Sequence, residues 1–147
     1  MIGLLQRVRE ARVDIDGQTV GAIGHGLLVL LCAEPEDTPA VASKMVDKVL
    51  KLRIFADDQG RMNRSVQDTA GGLLIVSQFT LAADTRGGNR PSFTAAAPPA
   101  QGEALYEQVL HLARERHPQV ACGRFGADMQ VHLVNDGPVT IPLRISA

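Results

Sequence analysis

In the stretch Leu73-Leu74-Ile75-Val76-Ser77-Gln78-Phe79-Thr80-Leu81, four apolar residues lead directly into a cluster of polar side chains. The apolar run follows a Gly71-Gly72 pair and predicts a buried strand that delivers residues 77–80 to the edge of a sheet. A strand that ends in this way offers hydroxyl, side-chain amide and backbone donors together, as many binding sites do. We therefore treat Ser77, Gln78, Phe79 and Thr80 as a candidate functional segment.

A second informative segment, Asn135-Asp136-Gly137-Pro138-Val139-Thr140, precedes another strand-like stretch near the C-terminus. Glycine permits unusual backbone angles, and an X-Pro bond adopts the cis form at a cost of only about 0.5–1 kcal/mol. The Gly-Pro pair can therefore give the main chain a shape that other dipeptides disfavour.

The N-terminal half carries patterns typical of strands and one helix. Alternation over residues 11–15, followed by Asp16-Gly17 and residues 18–20, predicts a hairpin. The continuous apolar run over residues 26–32 predicts a strand buried on both faces. Asp37 or Thr38 can cap a helix whose apolar positions recur at helical spacing through Leu50. A short strand over residues 53–55 follows this helix.

The C-terminal half begins with a long segment over residues 84–100, which is rich in Gly and Pro and predicts a functional loop. A second helix is predicted over about residues 101–116, and two strands over residues 129–134 and 139–145. Pro142 predicts that the last strand lies at a sheet edge or makes its hydrogen bonds on one side only. The sum is a mixed α/β protein of the α+β type, with a single domain over residues 1–147 and two helices covering one sheet face.

Composition limits the possible functions. The chain has 147 residues, 45% of them hydrophobic, which is normal for a globular protein. Its net charge is −1, so no global basic field indicates a large nucleic-acid footprint, although a local patch remains possible. Aromatic residues make up only 3%, with one Tyr, four Phe and no Trp. Platforms for stacking unpaired bases are therefore scarce.

The chain shows no signs of a membrane protein, a secreted protein or a metalloprotein. No apolar run reaches the roughly 18 residues of a membrane span, and the N-terminus lacks a basic region before a long apolar stretch. We expect a cytoplasmic protein without a membrane partner. The two cysteines, Cys32 and Cys122, are expected to be structural. The four histidines are scattered without metal or triad spacing, so neither a metal site nor a cofactor is expected.

Two features leave their chemistry open. Thr80 is a possible hydroxyl nucleophile, yet it has no evident neighbouring base in the sequence, so Thr80 can equally orient a reactant. The segment Arg86-Gly87-Gly88-Asn89-Arg90 places two arginines beside flexible backbone. It can bind phosphate, with Arg86 and Arg90 as possible tRNA contacts, or it can be a plain mobile loop.

The chain resembles the D-aminoacyl-tRNA deacylase family along nearly its whole length. The matching positions include the two segments above and several others, namely Gln6-Arg7-Val8, Gly17, Val20-Gly21, Ile23, Gly60-Arg61-Met62-Asn63-Arg64-Ser65-Val66 and Asn89-Arg90-Pro91-Ser92-Phe93. The departures are Arg9-Glu10, where small residues are common, and Cys32-Ala33, where Gly-Val is frequent. Neither departure touches the two segments described first.

The resemblance implies a layered β/β/α sandwich that forms a homodimer with active sites at the subunit interface. In such proteins the Ser-Gln-Phe-Thr segment of one subunit is catalytic and faces the Gly-Pro element of the other. Gly137-Pro138 should then be cis and provide the chiral selectivity. Arg7 should help to hold that element, and Met129 should pack near the terminal adenosine of the tRNA.

The activity implied is hydrolysis of the ester between a D-amino acid and the 3′ end of tRNA, without cofactor, while the L form is rejected. Glycine has no side chain to exclude, so glycyl-tRNA mischarged on tRNA-Ala should also be a substrate. Two alternatives remain open. One is a non-catalytic dimeric module that binds RNA ends or nucleotides through the Arg86 to Arg90 loop. The other is an acyl-enzyme hydrolase that uses Thr80 as nucleophile.

Overall fold

The computed structural model describes residues 1–147 as eight strands and two α-helices. The strands are β1 (Ile2–Ile15), β2 (Gln18–Ile23), β3 (Gly26–Cys32), β4 (Phe55–Ala56), β5 (Met62–Arg64), β6 (Gly72–Ser77), β7 (Val120–Cys122) and β8 (Gln130–Arg144). The helices are α1 (Pro39–Lys51) and α2 (Pro99–Arg116), and a 3-10 turn covers Phe79–Ala82. The predicted hairpin, both-face-buried strand and two helices are confirmed.

Six strands form one curved sheet around the long strand β1. Strand β8 pairs with one side of β1, and β3 and β2 pair with successive halves of its other side. Strands β3, β6 and β7 run parallel to one another. Strand β2 curls toward β7, where Gly21 lies so close to the Cys122 carbonyl that no side chain would fit between them. The α+β class is therefore confirmed, but a single sheet close to a barrel replaces the two layers of the predicted sandwich.

Two apolar cores explain why the central strands are buried on both faces. Leu27, Val29 and Leu31 of β3 pack in the larger core, which contains the apolar faces of α1 and α2. Leu28 packs in the smaller core, together with Leu74 of β6 and several residues of β1. Each fully buried leucine contributes roughly 1.5–3 kcal/mol. Successive side chains point to opposite faces of a strand, so a continuous apolar run fits this position.

Helix α1 begins as the sequence indicated. Thr38 is its N-cap, with Oγ1 accepting a hydrogen bond from the Val41 amide at 3.4 Å, and Pro39 occupies the first turn. Helix α2 begins at Pro99, two residues before the predicted start at Gln101. Neither helix combines the length and the apolarity needed to span a lipid bilayer.

The predicted strand through Thr80 is wrong, because β6 ends at Ser77. Its last partner in β3 is Leu31, and its last partner in β7 is Cys122, so no neighbouring strand continues the ladder. The chain turns into the 3-10 turn instead, with the Leu81 amide bonded to the Gln78 carbonyl at 3.2 Å. The predicted strand at residue 53 likewise begins only at Phe55.

The two strands predicted at the C-terminus are halves of the single strand β8. Gln6 of β1 pairs with Thr140, and Val8 pairs with Asn135, so only Arg7 faces the four residues 136–139. These four residues form a bulge, which we call the Gly-Pro bulge. Strand β8 pairs only with β1, as expected of an edge strand that contains Pro142.

Candidate active site

The carboxyl end of β6, which pairs in parallel with β3 and β7, opens into a cavity of about 590 Å³ that is also lined by the segment following β7. In sheets with parallel strands, ligands commonly bind at this end. Ser77, Gln78, Phe79 and Met129 all line the cavity. The main-chain N–H of Gln78 donates a 2.8 Å hydrogen bond to the Leu31 carbonyl, which anchors the chain as it leaves the sheet. The structure therefore brings together four of the side chains singled out from the sequence.

Thr80 lies in the 3-10 turn beside this cavity. Its Oγ1 accepts a hydrogen bond from Nε2 of Gln78, and its side chain is exposed. An amide nitrogen cannot take up a proton, so this partner orients the hydroxyl without activating it as a nucleophile. Phe79 and Thr80 are the first residues of the turn, and their N–H groups have no acceptor within it.

Three of the four phenylalanines of the chain line the cavity: Phe79, Phe93 and Phe125. Phe79 is 57% exposed, and its ring meets that of Phe93 edge to face, with centroids 5.1 Å apart. A partly exposed aromatic pair that lines a cavity offers a surface for stacking a base. Sequence reasoning missed Phe93 and Phe125 as site residues. The chain has few aromatic residues, and this scarcity was the signal in the sequence that could have marked each phenylalanine as a candidate site residue.

Cys32 and Tyr106 contact main-chain carbonyls of the 3-10 turn and of β6, respectively. The Sγ atom of Cys32 lies 3.6 Å from the carbonyl oxygen of Phe79 and 3.4 Å from the carbonyl oxygen of Ala33. Burial, together with the nearby Glu34 carboxylate, raises the pKa of Cys32, so the sulfur remains a neutral donor. Tyr106 donates a 2.8 Å hydrogen bond to the Ile75 carbonyl, and burial raises the pKa of its phenol.

Met129 reaches the cavity because a glycine makes room for it. A Cβ atom at Gly123 would lie 2.6 Å from the sulfur of Met129, so only glycine lets the thioether occupy its observed place. Met129 is half-buried and immediately precedes β8. A methionine in this position gives the cavity a polarisable apolar wall.

Arg7 and the Gly-Pro bulge form a second group. The Gly137–Pro138 peptide bond is cis, as the resemblance implied, and both residues are exposed. Arg7 donates from Nε to the Asp136 carbonyl at 2.8 Å and from Nη1 to the Ile54 carbonyl at 2.7 Å. None of Arg7, Gly137 and Pro138 is among the residues that line the cavity. Within one chain, the two groups of predicted site residues are therefore separate.

The loop of Arg86 and Arg90 is closed at its base by paired backbone hydrogen bonds between Asp84 and Ser92 of 2.8 and 2.9 Å. The Arg86 guanidinium donates to both carboxylate oxygens of Asp84, at 2.9 and 2.7 Å. These bonds, and a further one from the Arg86 backbone, lower the pKa of Asp84. The charge of Arg86 is therefore already paired within the chain, and Arg90 is exposed in the same loop.

The histidines with recorded polar contacts are engaged outside the cavity. His111 pairs with Glu115 at 3.0 Å, and His132 lies 3.4 Å from Asp14. His117 is buried, with Nε2 2.6 Å from the Gly71 carbonyl. None of these histidines lines the cavity.

Comparison with known proteins places these features in a family. The family model described as D-Tyr-tRNA(Tyr) deacylase matches residues 4–144. Proteins named D-aminoacyl-tRNA deacylase from Paracidovorax citrulli and Variovorax paradoxus are 72% and 68% identical to the chain. Each alignment covers 99% of this chain, and it covers 94% of the first relative and 100% of the second.

Two solved structures share the fold. One, titled "c-Myc DNA Unwinding Element Binding Protein", is 43% identical, with a TM-score of 0.95 and full coverage of both chains. The other, titled as a probable eukaryotic D-amino acid tRNA deacylase, has a TM-score of 0.82 over 97% of each chain. At 18% identity, this second likeness supports the fold alone. Because the family model and the full-length relatives agree, the chain belongs to the D-Tyr-tRNA(Tyr) deacylase family.

Proposed function

We propose that this chain hydrolyses the ester bond of D-aminoacyl-tRNA to free D-amino acid and tRNA, rejects the L form, and so proofreads chirality in translation in the cytoplasm. Family membership supports the activity, since the relatives are named D-aminoacyl-tRNA deacylases, which are hydrolases of an ester bond. The observation that carries the proposal for this chain is the shared cavity, where Ser77 and Gln78 meet Met129 and the aromatic pair formed by Phe79 and Phe93.

The proposed reaction is addition of water to the ester carbonyl. The bond between the acyl carbon and the ribose oxygen then breaks. The ribose oxygen leaves with a proton, assisted by the neighbouring 2′-hydroxyl of the substrate. This ester is intrinsically labile, so a site that positions water and stabilises the oxyanion can supply the acceleration. The N–H groups of Phe79 and Thr80, at the start of the 3-10 turn, are the proposed oxyanion donors.

Thr80 acts in this proposal as an orienting group. Its Oγ1 already accepts a hydrogen bond from the side-chain amide of Gln78. The hydroxyl proton is therefore free to point at the water or the ester. A covalent route would need a base to remove that proton. The hydrogen-bond partner that the structure gives Thr80 is an amide, which supports the non-covalent route.

We propose that the Gly-Pro bulge is the stereochemical filter. Many D-side chains must be accepted, so a side-chain pocket cannot select among them, and fixed main-chain atoms near the α-carbon must exclude the L substituent. Gly137 and Pro138 are exposed, and Arg7 holds the bulge through the Asp136 carbonyl, which suits such a role. A filter of this kind admits glycine, so glycyl-tRNA mischarged on tRNA-Ala should be hydrolysed.

The proposed active unit is a homodimer with each site completed across the subunit interface. The support is that Gly137 and Pro138 protrude from the chain without lining the cavity of their own subunit. The aminoacyl-tRNA 3′ end would then lie between subunits, with its terminal adenosine near Met129 and the exposed phenylalanines. Arg86 and Arg90 are proposed contacts for the tRNA backbone, of which Arg86 must first leave Asp84.

The test is hydrolysis of D- and L-tyrosyl-tRNA by the purified protein, measured side by side. We expect release of D-tyrosine and little release of L-tyrosine. Equal rates on both substrates would contradict the selectivity, and no turnover would contradict the activity. Because one related structure is named for DNA binding, filter binding of uncharged tRNA and DNA should accompany the assay. Tight binding without turnover would identify a nucleic-acid-binding module instead.

A further inference from the structure

The side chain of Asn135 spans the base of the Gly-Pro bulge. We call this base, where Asn135 and Val139 are hydrogen-bonded, the neck. Oδ1 of Asn135 accepts a hydrogen bond from the Val139 amide at 2.8 Å, and its Nδ2 lies 3.1 Å from the Val139 carbonyl. The same Nδ2 lies 3.1 Å from Oε1 of Gln6 and 3.3 Å from Oγ1 of Thr140. One amide therefore holds both polar main-chain groups of Val139 and reaches β1 as well.

These bonds replace the ladder that the bulge interrupts. A bulge of four residues opposite one leaves its main chain without partners in the neighbouring strand, and an unsupported segment of that kind can change its direction. Asn135 and Val139 flank the three residues at the tip, and the Asn135 amide joins them as a main-chain pair would. Val139 itself is only 8% exposed and packs in the larger core, so the neck is fixed to the body of the protein.

The main chain of Val139 determines which way the Asn135 amide faces. Its N–H can bond only to the oxygen end of that amide, and its carbonyl can accept only from the NH₂ end. In this orientation the NH₂ end also reaches Oε1 of Gln6, which adds a bond from the neck to β1. Gln6 lies on β1 directly before Arg7, which holds the Asp136 carbonyl on the tip side. Two neighbouring residues of β1 thus support the bulge from two sides.

We propose that Asn135, which is bonded to Val139 and to Gln6, is a positioning residue that sets the D/L selectivity of the enzyme by fixing where Gly137 and Pro138 point. The proposal rests on the proposed role of the Gly-Pro bulge as the stereochemical filter. A filter that works by excluding a substituent depends on position, and displacement by about 1 Å is enough to change a rate by about 100-fold. Loosening the neck should therefore admit L substrates more than it slows D substrates.

The decisive variant is Asn135→Asp, which keeps the shape and the acceptor for the Val139 amide but replaces the donor with an oxygen. That oxygen faces the Val139 carbonyl, which cannot become a donor, so the neck loses its second bond and gains repulsion. Gln6→Met removes only the bond between the Asn135 NH₂ group and β1. Thr140→Val is the matched control, since it removes only the longest of the four contacts and Thr140 is exposed.

The experiment measures kcat/KM for D- and L-tyrosyl-tRNA, together with Tm, for the wild type and the three variants. We expect the D/L ratio to fall at least about tenfold in Asn135→Asp, less in Gln6→Met, and not in Thr140→Val, with the L rate rising. A folded Asn135→Asp variant with an unchanged ratio, or with both rates lowered equally, would overturn the proposal. Absence of D/L discrimination in the wild type would instead refute the proposed filter.

Discussion

Arg7 Nε donates a 2.8 Å hydrogen bond to the main-chain oxygen of Asp136, across the longest interruption in the pairing of β1 with β8. The other end of the guanidinium bonds to the Ile54 carbonyl at 2.7 Å, just before the β4–β5 hairpin. One side chain therefore fixes both the Gly-Pro bulge and the approach to the hairpin. Arginine suits this role, since its planar head presents several donors in a fixed geometry.

Replacing Arg7 with methionine should lower kcat/KM for D-tyrosyl-tRNA by about 10–100-fold. The variant removes two bonds from a charged donor to main-chain oxygens, each worth about 1.5–3 kcal/mol. Arg9→Ala is the matched control, because Arg9 is 76% exposed and lies 3.5 Å from the carboxylate of Asp136. Equal effects of the two substitutions on kcat/KM would show that charge near Asp136 matters, not the bond to its carbonyl.

Thr80→Ala should retain measurable turnover, because an orienting hydroxyl can be partly replaced by water. Thr80→Ser should come close to wild-type kcat, as it keeps the oxygen that Gln78 contacts. Rapid quenching during turnover, followed by mass spectrometry, tests for an acyl-enzyme. An aminoacyl ester on Thr80 would establish the covalent route and reverse the assignment.

Gly137→Ala should lower activity on D-tyrosyl-tRNA and alter the D/L ratio. A Cβ atom there would lie 2.5 Å from the Val139 nitrogen and 2.7 Å from its Cγ2, so the bulge must shift. Gly24→Ala provides the comparison, since a Cβ at Gly24 meets nothing within 4 Å. Kinetics on both tRNA substrates check the prediction. It fails if Gly137→Ala behaves like Gly24→Ala.

Mixing a Gly137 variant with a Gln78 variant, each of low activity, should restore activity if each site is shared between subunits. A subunit altered at Gly137 and one altered at Gln78 would form a heterodimer in which one site has both defects and the other has none. Refolding the two variants together in equal amounts should yield about a quarter of wild-type activity. Sites contained within one subunit would each keep a defect, and the mixture would then show no recovery.

Cys32 should resist thiol reagents up to a higher pH than Cys122. Burial raises the pKa of Cys32, and the residue is only 2% exposed, whereas Cys122 is half-buried. The thiolate is the reactive form, so a raised pKa and burial both slow the reaction. The neutral thiol favours the folded state, and that contribution should diminish as the pH rises through the folded-state pKa of Cys32. Labelling of single-cysteine variants across alkaline pH measures the difference.

Local patterns were sufficient for most of the elements. The alternation before Asp16-Gly17 predicted the hairpin, in which both turn residues have the positive φ that a tight hairpin turn requires. The run over residues 26–32 predicted a strand buried on both faces, and the structure has cores on each side. Such features depend on the chain's own periodicity, which the sequence shows directly.

Features that depend on distant neighbours were not predictable. The pairing of β6 with β7 ends at Ile75 and its pairing with β3 ends at Ser77, and nothing in residues 77–80 indicates where those partners stop. The same holds for the approach of Gly21 to Cys122, which curves the sheet. The candidate site was found in part, since Ser77, Gln78 and Met129 do share a cavity. Phe93 and Phe125 were missed because they reach it from loops far apart in sequence.

The position of Tyr106 gives the protein a built-in optical reporter. The chain contains one tyrosine and no tryptophan, so its tyrosine fluorescence arises from a single ring. That ring lies 6.1 Å from Phe125, a residue of the cavity wall, and its hydroxyl is bonded to the strand that leads to Ser77. Occupation of the cavity by a non-fluorescent ligand can therefore be followed through one emission signal without adding a label.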